Sequence, residues 1–217
     1  MLCIPIKNPD APWKLNWFGL PWPIAHTIAE DIPYLKSRGV KGILSQANLS
    51  MDAWTNGLNF YVASKLLWDP TLDPETLKRR WIYGLFLEAG VHMADYYDAM
   101  EKSMASQVCI SGDARRNATK VFTTQVLQTM RTSYNAAVAA AQDSAVKARL
   151  ARVGKSLDYT ERLMEIIHLA QTDTEGAAIL LNNFIEEHDS IPTKWSRIVP
   201  EDIFDYLKAY LNVLQAK

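Results

Sequence analysis

The chain lacks a charge excess of either sign: 23 Lys and Arg residues and 24 Asp and Glu residues give a formal net charge of -1 at pH 7. Without a strongly charged surface, there is no electrostatic reason to expect nucleic acid or an anionic membrane as a partner. Its two cysteines, Cys3 and Cys109, cannot build a disulfide framework and form no zinc-binding Cys/His spacing. We therefore expect no metal, no cofactor, and no nucleic-acid or membrane partner.

Long hydrophobic runs are missing as well. No segment approaches the roughly 20 apolar residues of a membrane span, and the start, MLCIPIKNPD, lacks the basic region and extended apolar segment of a signal peptide. Motifs for a nucleophile elbow, a glycine-rich phosphate loop or an HExxH metal site are also absent. The absence of these motifs excludes the enzyme classes that they define. The compartment of the protein stays unknown.

The aromatic residues and helix breakers that the chain does contain are concentrated in its first third. Six of the seven Trp residues lie between Trp13 and Trp81, and eight of the ten Pro residues precede Glu75. Beyond this point the apolar residues recur at the spacing of amphipathic helices. The change predicts a boundary near residue 70, with residues 1–69 and 70–217 forming two regions of different architecture.

The first region contains two short apolar runs that predict buried strands, Leu2–Ile6 and Val40–Ser45. A helical segment from about Ile24 to Ser37 separates them, so the three elements form a βαβ unit. The predicted fold class is mainly α: a multi-helix array that follows a short strand–helix–strand remnant of a (β/α) barrel. Residues 1–69 would form the end of the barrel, and residues 70–217 a C-terminal helical region.

Local signals define the ends of the predicted helices. Pro33 should kink or divide the first helix, and Gly39 should close it in the left-handed conformation. Asp73-Pro74-Glu75 combines a cap, a first-turn proline and an acid near the positive end of the helix dipole, and its helix should run to about residue 105. His26 and Glu30 are four residues apart and can pair on the surface of the first helix.

Three indoles, Trp13, Trp17 and Trp22, lie with Asn16 in the loop after the first predicted strand. In a barrel such loops build the active site. Indole faces stack on the apolar C–H faces of a pyranose, while neighbouring amides bond to its hydroxyls. The loop is therefore a candidate carbohydrate contact, or else its indoles cover the barrel rim or seal the contact with the helices.

Polar side chains also follow the second predicted strand. Gln46 and Asn48 would lie at its C-terminal end, the substrate face of a barrel, where their amides donate and accept hydrogen bonds. Asn48 serves equally well as a loop or helix cap. Trp54 and Asn56 come shortly afterwards, near enough to border the same mouth. These four residues complete the predicted substrate-binding set.

Paired carboxyl groups for glycoside hydrolysis are not apparent. Asp10 and Asp52 lie near the candidate face, but neither pairs obviously with a second acid, and Asp52 fits a simpler role in the first turn of a helix. The catalytic residues therefore stay unknown.

The run from GVKGILSQ through WTNGLNFYVASKLLWDPTLDPETLKRRW to ADYYDAME resembles a bacterial family of glycoside-hydrolase-like proteins, known as domain of unknown function 4838. It is similar, more distantly, to the barrel ends of α-glucuronidases and α-N-acetylglucosaminidases. The residues that carry the resemblance are Gly39, Gly42, Gln46, Asn59-Phe60-Tyr61, Leu67-Trp68-Asp69-Pro70, Tyr96-Tyr97, Arg152, Leu157 and Tyr159.

The resemblance implies a (β/α) barrel followed by a helical region, acting on polysaccharide or oligosaccharide in secreted or periplasmic proteins. It also implies that the general acid and its partner lie on earlier strands that are not in this sequence. The missing strands would come from an N-terminal barrel segment or from another copy of the chain, since two parallel strands alone leave unpaired edges.

We therefore interpret the chain as the C-terminal fragment of a glycoside-hydrolase-like protein that contributes part of a carbohydrate-binding mouth and a helical buttress and is not catalytic alone. The alternative is a helical protein–protein interaction or self-association module with a Trp-rich interface, because exposed indoles are also typical interface anchors.

Overall fold

The computed structural model describes residues 17–43, 56–108, 110, 113–190 and 201–216. Within these ranges the protein is built from helices and contains no strand. The predicted mainly-α class is therefore confirmed. The first predicted strand, Leu2–Ile6, lies outside the described residues.

The helices pack mostly against their neighbours in the chain, with a few longer-range pairs. They are α1 (Ala25–Ser37), α2 (Gly57–Trp68), α3 (Pro74–Phe86), α4 (Gly90–Ala105), α5 (Ala114–Val121), α6 (Thr124–Ala140), α7 (Ser144–Leu169), α8 (Thr174–Ser190) and α9 (Glu201–Gln215). A 3-10 turn, Leu87–Ala89, separates α3 from α4. The most extensive contacts join α4 to α6, α8 to α9, and α1 to α2.

The second predicted strand is not formed where the structure describes it. Val40–Ile43 is irregular, and its apolar side chains are exposed, Val40 by 38% and Ile43 by 47%. The backbone N–H of Val40 donates to the carbonyl of Leu35 at the end of α1, which commits it to the helix terminus instead of a sheet. Residues 44 and 45 of this predicted strand lie outside the described part of the chain.

Gly39 closes α1 as predicted. Its φ is +83°, and its N–H donates to the carbonyl of Lys36 over 3.0 Å, the geometry of a Schellman C-cap. The predicted division at Pro33 does not occur, because α1 continues through this residue. Burial of Ile32 and packing of Ile28 against the core hold the helix together although Pro33 supplies no N–H.

The long helix predicted after Asp73 begins where expected but is broken. The Asp73 carboxylate accepts a hydrogen bond from the N–H of Thr76 over 2.8 Å, which confirms the predicted cap. The helix ends at Phe86, because Leu87 adopts φ +40° and ψ -114°. Residues that carry a Cβ rarely adopt this backbone conformation.

Hydrogen bonds with α7 and with the two residues that precede it hold this strained turn. Arg149 Nη1 donates to the carbonyl of Leu85 over 2.9 Å. On the other side, Glu88 Oε1 accepts the N–H groups of Gln142 and Asp143 over 2.6 and 2.9 Å. Helical spacing along the sequence does not reveal the break, since the groups that stabilise it lie more than 50 residues away.

The N-terminal turn is anchored to the last helices of the chain. Phe18 is fully buried and stacks on Tyr210 of α9, with ring centroids 5.8 Å apart. Its carbonyl accepts a hydrogen bond from the hydroxyl of Tyr159 in α7. One contiguous hydrophobic core therefore includes residues from both predicted regions; the boundary near residue 70 stays a prediction.

Candidate functional site

Three of the eight residues predicted to bind substrate are described by the structure, and they lie close together. Trp17 and Trp22 belong to the loop before α1, and Asn56 directly precedes α2. The other five, Trp13, Asn16, Gln46, Asn48 and Trp54, lie outside the described residues. The neighbourhood of Trp22 is therefore the candidate site.

Trp22 lies between two prolines, and hydrogen bonds to its backbone hold it in place. Pro21 and Pro23 keep this segment out of a helix, which would leave the Trp22 N–H and carbonyl without helical partners. The side chain of Asn56 accepts from the Trp22 N–H over 3.2 Å, and Asn59 Nδ2 donates to the Trp22 carbonyl over 2.6 Å. Asn59 was not among the predicted site residues, although two amides one turn apart at the start of α2 are a usable signal.

The indole of Trp22 is fixed by its neighbour Trp17. The two rings meet edge to face, with centroids 4.4 Å apart and planes at 86°. Trp17 is itself held by a hydrogen bond from Nε1 to the carbonyl of Pro21 over 2.8 Å. Phe18 and Gly19 form the intervening tight turn, with φ of +54° and +71°. Contact with Trp17 therefore sets the orientation of the Trp22 indole.

Two cavities meet at Trp22. The first, which we call the α1/α2 groove, has a volume of about 520 Å³. Its lining is mostly aliphatic and aromatic: Trp22, Ile24, Ile28, Asp31, Ile32, Leu35, Ile43, Asn56, Asn59, Phe60, Ala63 and Leu67.

Helix α2 is apolar on two faces, which explains the character of this groove. The inward face is buried in the core and consists of Leu58, Val62 and Leu66. On the opposite face Phe60 and Leu67 are 44% and 52% exposed. A helix that is apolar all round is normally buried on all sides. The groove is therefore an apolar surface that the described part of the chain leaves uncovered.

The second cavity, the His26 cleft, is smaller and of mixed polarity. Its volume is about 280 Å³. Its lining combines an indole and aliphatic groups with several hydrogen-bonding side chains: Trp22, Ile24, His26, Thr27, Glu30, Met104, Ala105, Gln107, Val108 and Ile110.

A buried carboxylate organises the His26 cleft. Glu101 on α4 is 6% exposed, and its two oxygens accept the N–H of Ala25 over 2.9 Å and that of His26 over 3.2 Å. It therefore caps α1, which has no side-chain cap of its own. Oε2 also lies 2.9 Å from His26 Nδ1. The imidazole of His26 therefore pairs with Glu101 on α4, whereas the sequence alone also allowed a pair with Glu30, one turn along α1.

The described residues offer no cluster of three His, Cys, Asp or Glu side chains that could hold a metal ion. Over the same ranges, no helix is both long enough and apolar enough to span a bilayer. Of the residues that the structure describes, Glu30 is the one carboxylate in the lining of the His26 cleft. Within the described lining there is thus no pair of opposed carboxyl groups like that of a glycosidase.

Residues 13–98 match the family model described as Domain of unknown function (DUF4838). The match extends from the tryptophan loop into the first part of α4, so both helices of the α1/α2 groove lie inside it. No curated protein and no solved structure matches the chain significantly. The match supports the resemblance to this family and carries no activity with it, because the family is defined without a function.

Proposed function

We propose that this chain is the helical part of a glycoside-hydrolase-like, carbohydrate-binding protein. In this proposal the α1/α2 groove packs against the barrel domain of that protein, and the surface around Trp22 contributes to its sugar-binding mouth. The chain supplies support and binding, and the catalytic carboxylates come from the barrel. The observation that carries the proposal is that Trp22 forms a wall of both the apolar groove and the mixed His26 cleft.

The apolar groove supports the docking half of the proposal. Phe60 and Leu67 leave apolar area in water on a helix whose other face is already buried, and apolar area of this kind is stabilised by contact with another protein surface. The barrel domain is the occupant that we propose, because the family match includes both walls of the groove and the resemblance implies a barrel directly before them.

The docking half is tested by placing a charge in the groove. In the isolated chain, Phe60→Lys and Leu67→Lys should each abolish binding of a hydrophobic fluorescent dye and leave the unfolding midpoint unchanged. Ile179→Lys is the matched control, since Ile179 is 57% exposed on α8 and does not line the groove. Dye binding that survives both groove variants would refute the docking surface.

The carbohydrate half is tested by calorimetric titration with a panel of methyl pyranosides and oligosaccharides. Trp22→Phe should weaken binding about tenfold, because the smaller ring loses stacking area. Trp68→Phe is the matched control: its indole is 91% exposed and lies outside both cavities. Absence of binding by the unaltered chain, or equal effects of the two substitutions, would reject sugar contact at Trp22.

A second candidate function is self-association through the same face. It is favoured by Trp68, which is 91% exposed directly after the groove residue Leu67 and enlarges the exposed apolar surface. Sedimentation velocity distinguishes the candidates. A concentration-dependent dimer that Trp68→Lys and Leu67→Lys abolish would identify a second copy of the chain as the occupant of the groove.

A further inference from the structure

The imidazole of His26 is not required for the cap that Glu101 provides. The two N–H groups at the start of α1, those of Ala25 and His26, are already satisfied by the carboxylate oxygens of Glu101. The additional contact from Oε2 to His26 Nδ1, at 2.9 Å, orients a side chain that is 29% exposed. A buried acid thus holds a partly exposed imidazole at the wall of a cleft.

This contact determines which nitrogen of His26 carries the proton. Both oxygens of Glu101 already accept backbone N–H groups, so in the contact with His26 we assign Nδ1 as the donor and Oε2 as the acceptor. In the neutral imidazole Nε2 then carries the lone pair and can accept a hydrogen bond. Because Nδ1 is committed to Glu101, the ring edge that remains for the cleft is the one that bears Nε2.

The α1/α2 groove is apolar, whereas the His26 cleft is of mixed polarity, and this mixed polarity indicates the kind of ligand that the cleft can take. The cleft joins the fixed indole of Trp22 to the polar groups of His26, Thr27 and Gln107. An apolar ring face beside several hydrogen-bonding groups is the combination that suits a pyranose. The volume of about 280 Å³ lies just below the roughly 300–1,000 Å³ of most ligand pockets, so it fits a single ring.

The charged residues that line the cleft favour a neutral sugar over an acidic one. Of the described residues that line the cleft, Glu30 is the one acid, and none is Lys or Arg. A uronic acid would therefore bring its carboxylate near Glu30 without a cation to balance it. A neutral sugar meets no such repulsion.

We propose that the His26 cleft binds one neutral pyranose ring, which stacks on Trp22 and donates a hydroxyl hydrogen bond to His26 Nε2. Glu101 is a positioning residue that sets the tautomer of the imidazole. This inference rests on the proposed carbohydrate-binding function and names its sugar class and its acceptor. It assigns no chemical step to His26.

The test compares calorimetric titrations of the unaltered chain, His26→Asn and His26→Gln. The amide Nδ2 of Asn takes the place of Nδ1 and can still donate to Glu101, but nothing replaces Nε2. His26→Asn should therefore keep the unfolding midpoint and weaken binding of neutral methyl pyranosides about tenfold. His26→Gln places a polar group near the position of Nε2 and should recover part of that loss.

The outcomes separate this inference from the proposed function. Failure of the unaltered chain to bind any methyl pyranoside refutes the proposed function and this inference together. Binding that His26→Asn leaves unchanged refutes the inference alone, as does methyl glucuronide binding as tightly as the neutral sugars. Nitrogen-15 NMR of the imidazole gives a readout without ligand: a proton on Nδ1 is expected, and a neutral ring with its proton on Nε2 would overturn the assignment.

Discussion

Tyr159→Phe tests whether the turn that carries the site tryptophans is anchored to α7. The hydroxyl of Tyr159 donates to the carbonyl of Phe18, 141 residues earlier in the chain. Tyr159 is 1% exposed and Phe18 is fully buried, so water cannot replace the lost donor. Burial also raises the pKa of Tyr159 well above its usual range, which keeps the hydroxyl protonated near neutral pH. The substitution therefore leaves a buried carbonyl without this partner.

We expect Tyr159→Phe to lower the free energy of unfolding by about 1 kcal/mol, the typical net contribution of one intramolecular hydrogen bond. Urea unfolding followed by circular dichroism measures it, with an unchanged m-value showing that the denatured state is the same. Tyr34→Phe is the matched control, because Tyr34 is 62% exposed on α1 and should change the stability by less than about 0.5 kcal/mol. Equal, small effects of both substitutions would show that the Phe18 carbonyl is not held by α7.

Three further predictions concern the strained turn and the cap of α1. Leu87→Gly should raise the unfolding temperature. It relieves roughly 1–3 kcal/mol of backbone strain at φ +40°, which exceeds the entropic cost of glycine, about 0.5–1 kcal/mol. A lower unfolding temperature would contradict this prediction. The N–H groups of Asp143 and Gln142 lower the pKa of Glu88. The stability that this carboxylate adds is therefore complete above its ordinary pKa of 4.5 and lost as the pH falls through the lowered value. Glu88→Gln should accordingly show a shallower decline in unfolding free energy below pH 4.5, and parallel curves would refute the assignment. Glu101→Ala should cost about 2 kcal/mol and accelerate hydrogen exchange at the first turn of α1, whereas unchanged exchange there would exclude the cap.

Features set by neighbouring residues were predictable from the sequence. The cap at Asp73 and the left-handed closure at Gly39 depend on groups within a few positions, so local chemistry determines them. The long apolar stripe of α7 is equally local in origin. These elements account for the correct assignment of the mainly-α class.

Features set by distant residues were not predictable. The helix break at Leu87 depends on Arg149 and on the start of α7, and α1 is capped by Glu101, 76 positions after Ala25. Val40–Ile43 has the composition of a buried strand, but the Schellman turn directs it outward. In each case a contact across the fold overrides the pattern of the local sequence.

At the candidate site, too, features that depend on residue type were predictable from the sequence, and features that depend on distant contacts were not. The residue types led to Trp17, Trp22 and Asn56 as site residues, and the structure places these three close together. The Asn56 side chain also holds the backbone of Trp22, and substrate binding by these residues stays a prediction. His26 entered the sequence analysis only as a surface residue, and its partner on α4 is visible only in the folded chain.

Fluorine NMR of the chain labelled with 5-fluorotryptophan is the most direct test of the central claim, that a sugar binds at Trp22. Trp22→Phe assigns the resonance of Trp22, and Trp68, which is exposed and does not line either cavity, is the internal reference. Titration with neutral methyl pyranosides should shift the Trp22 resonance saturably and leave the Trp68 resonance in place. A Trp22 resonance that stays fixed, or one that moves only in parallel with Trp68, would contradict the account.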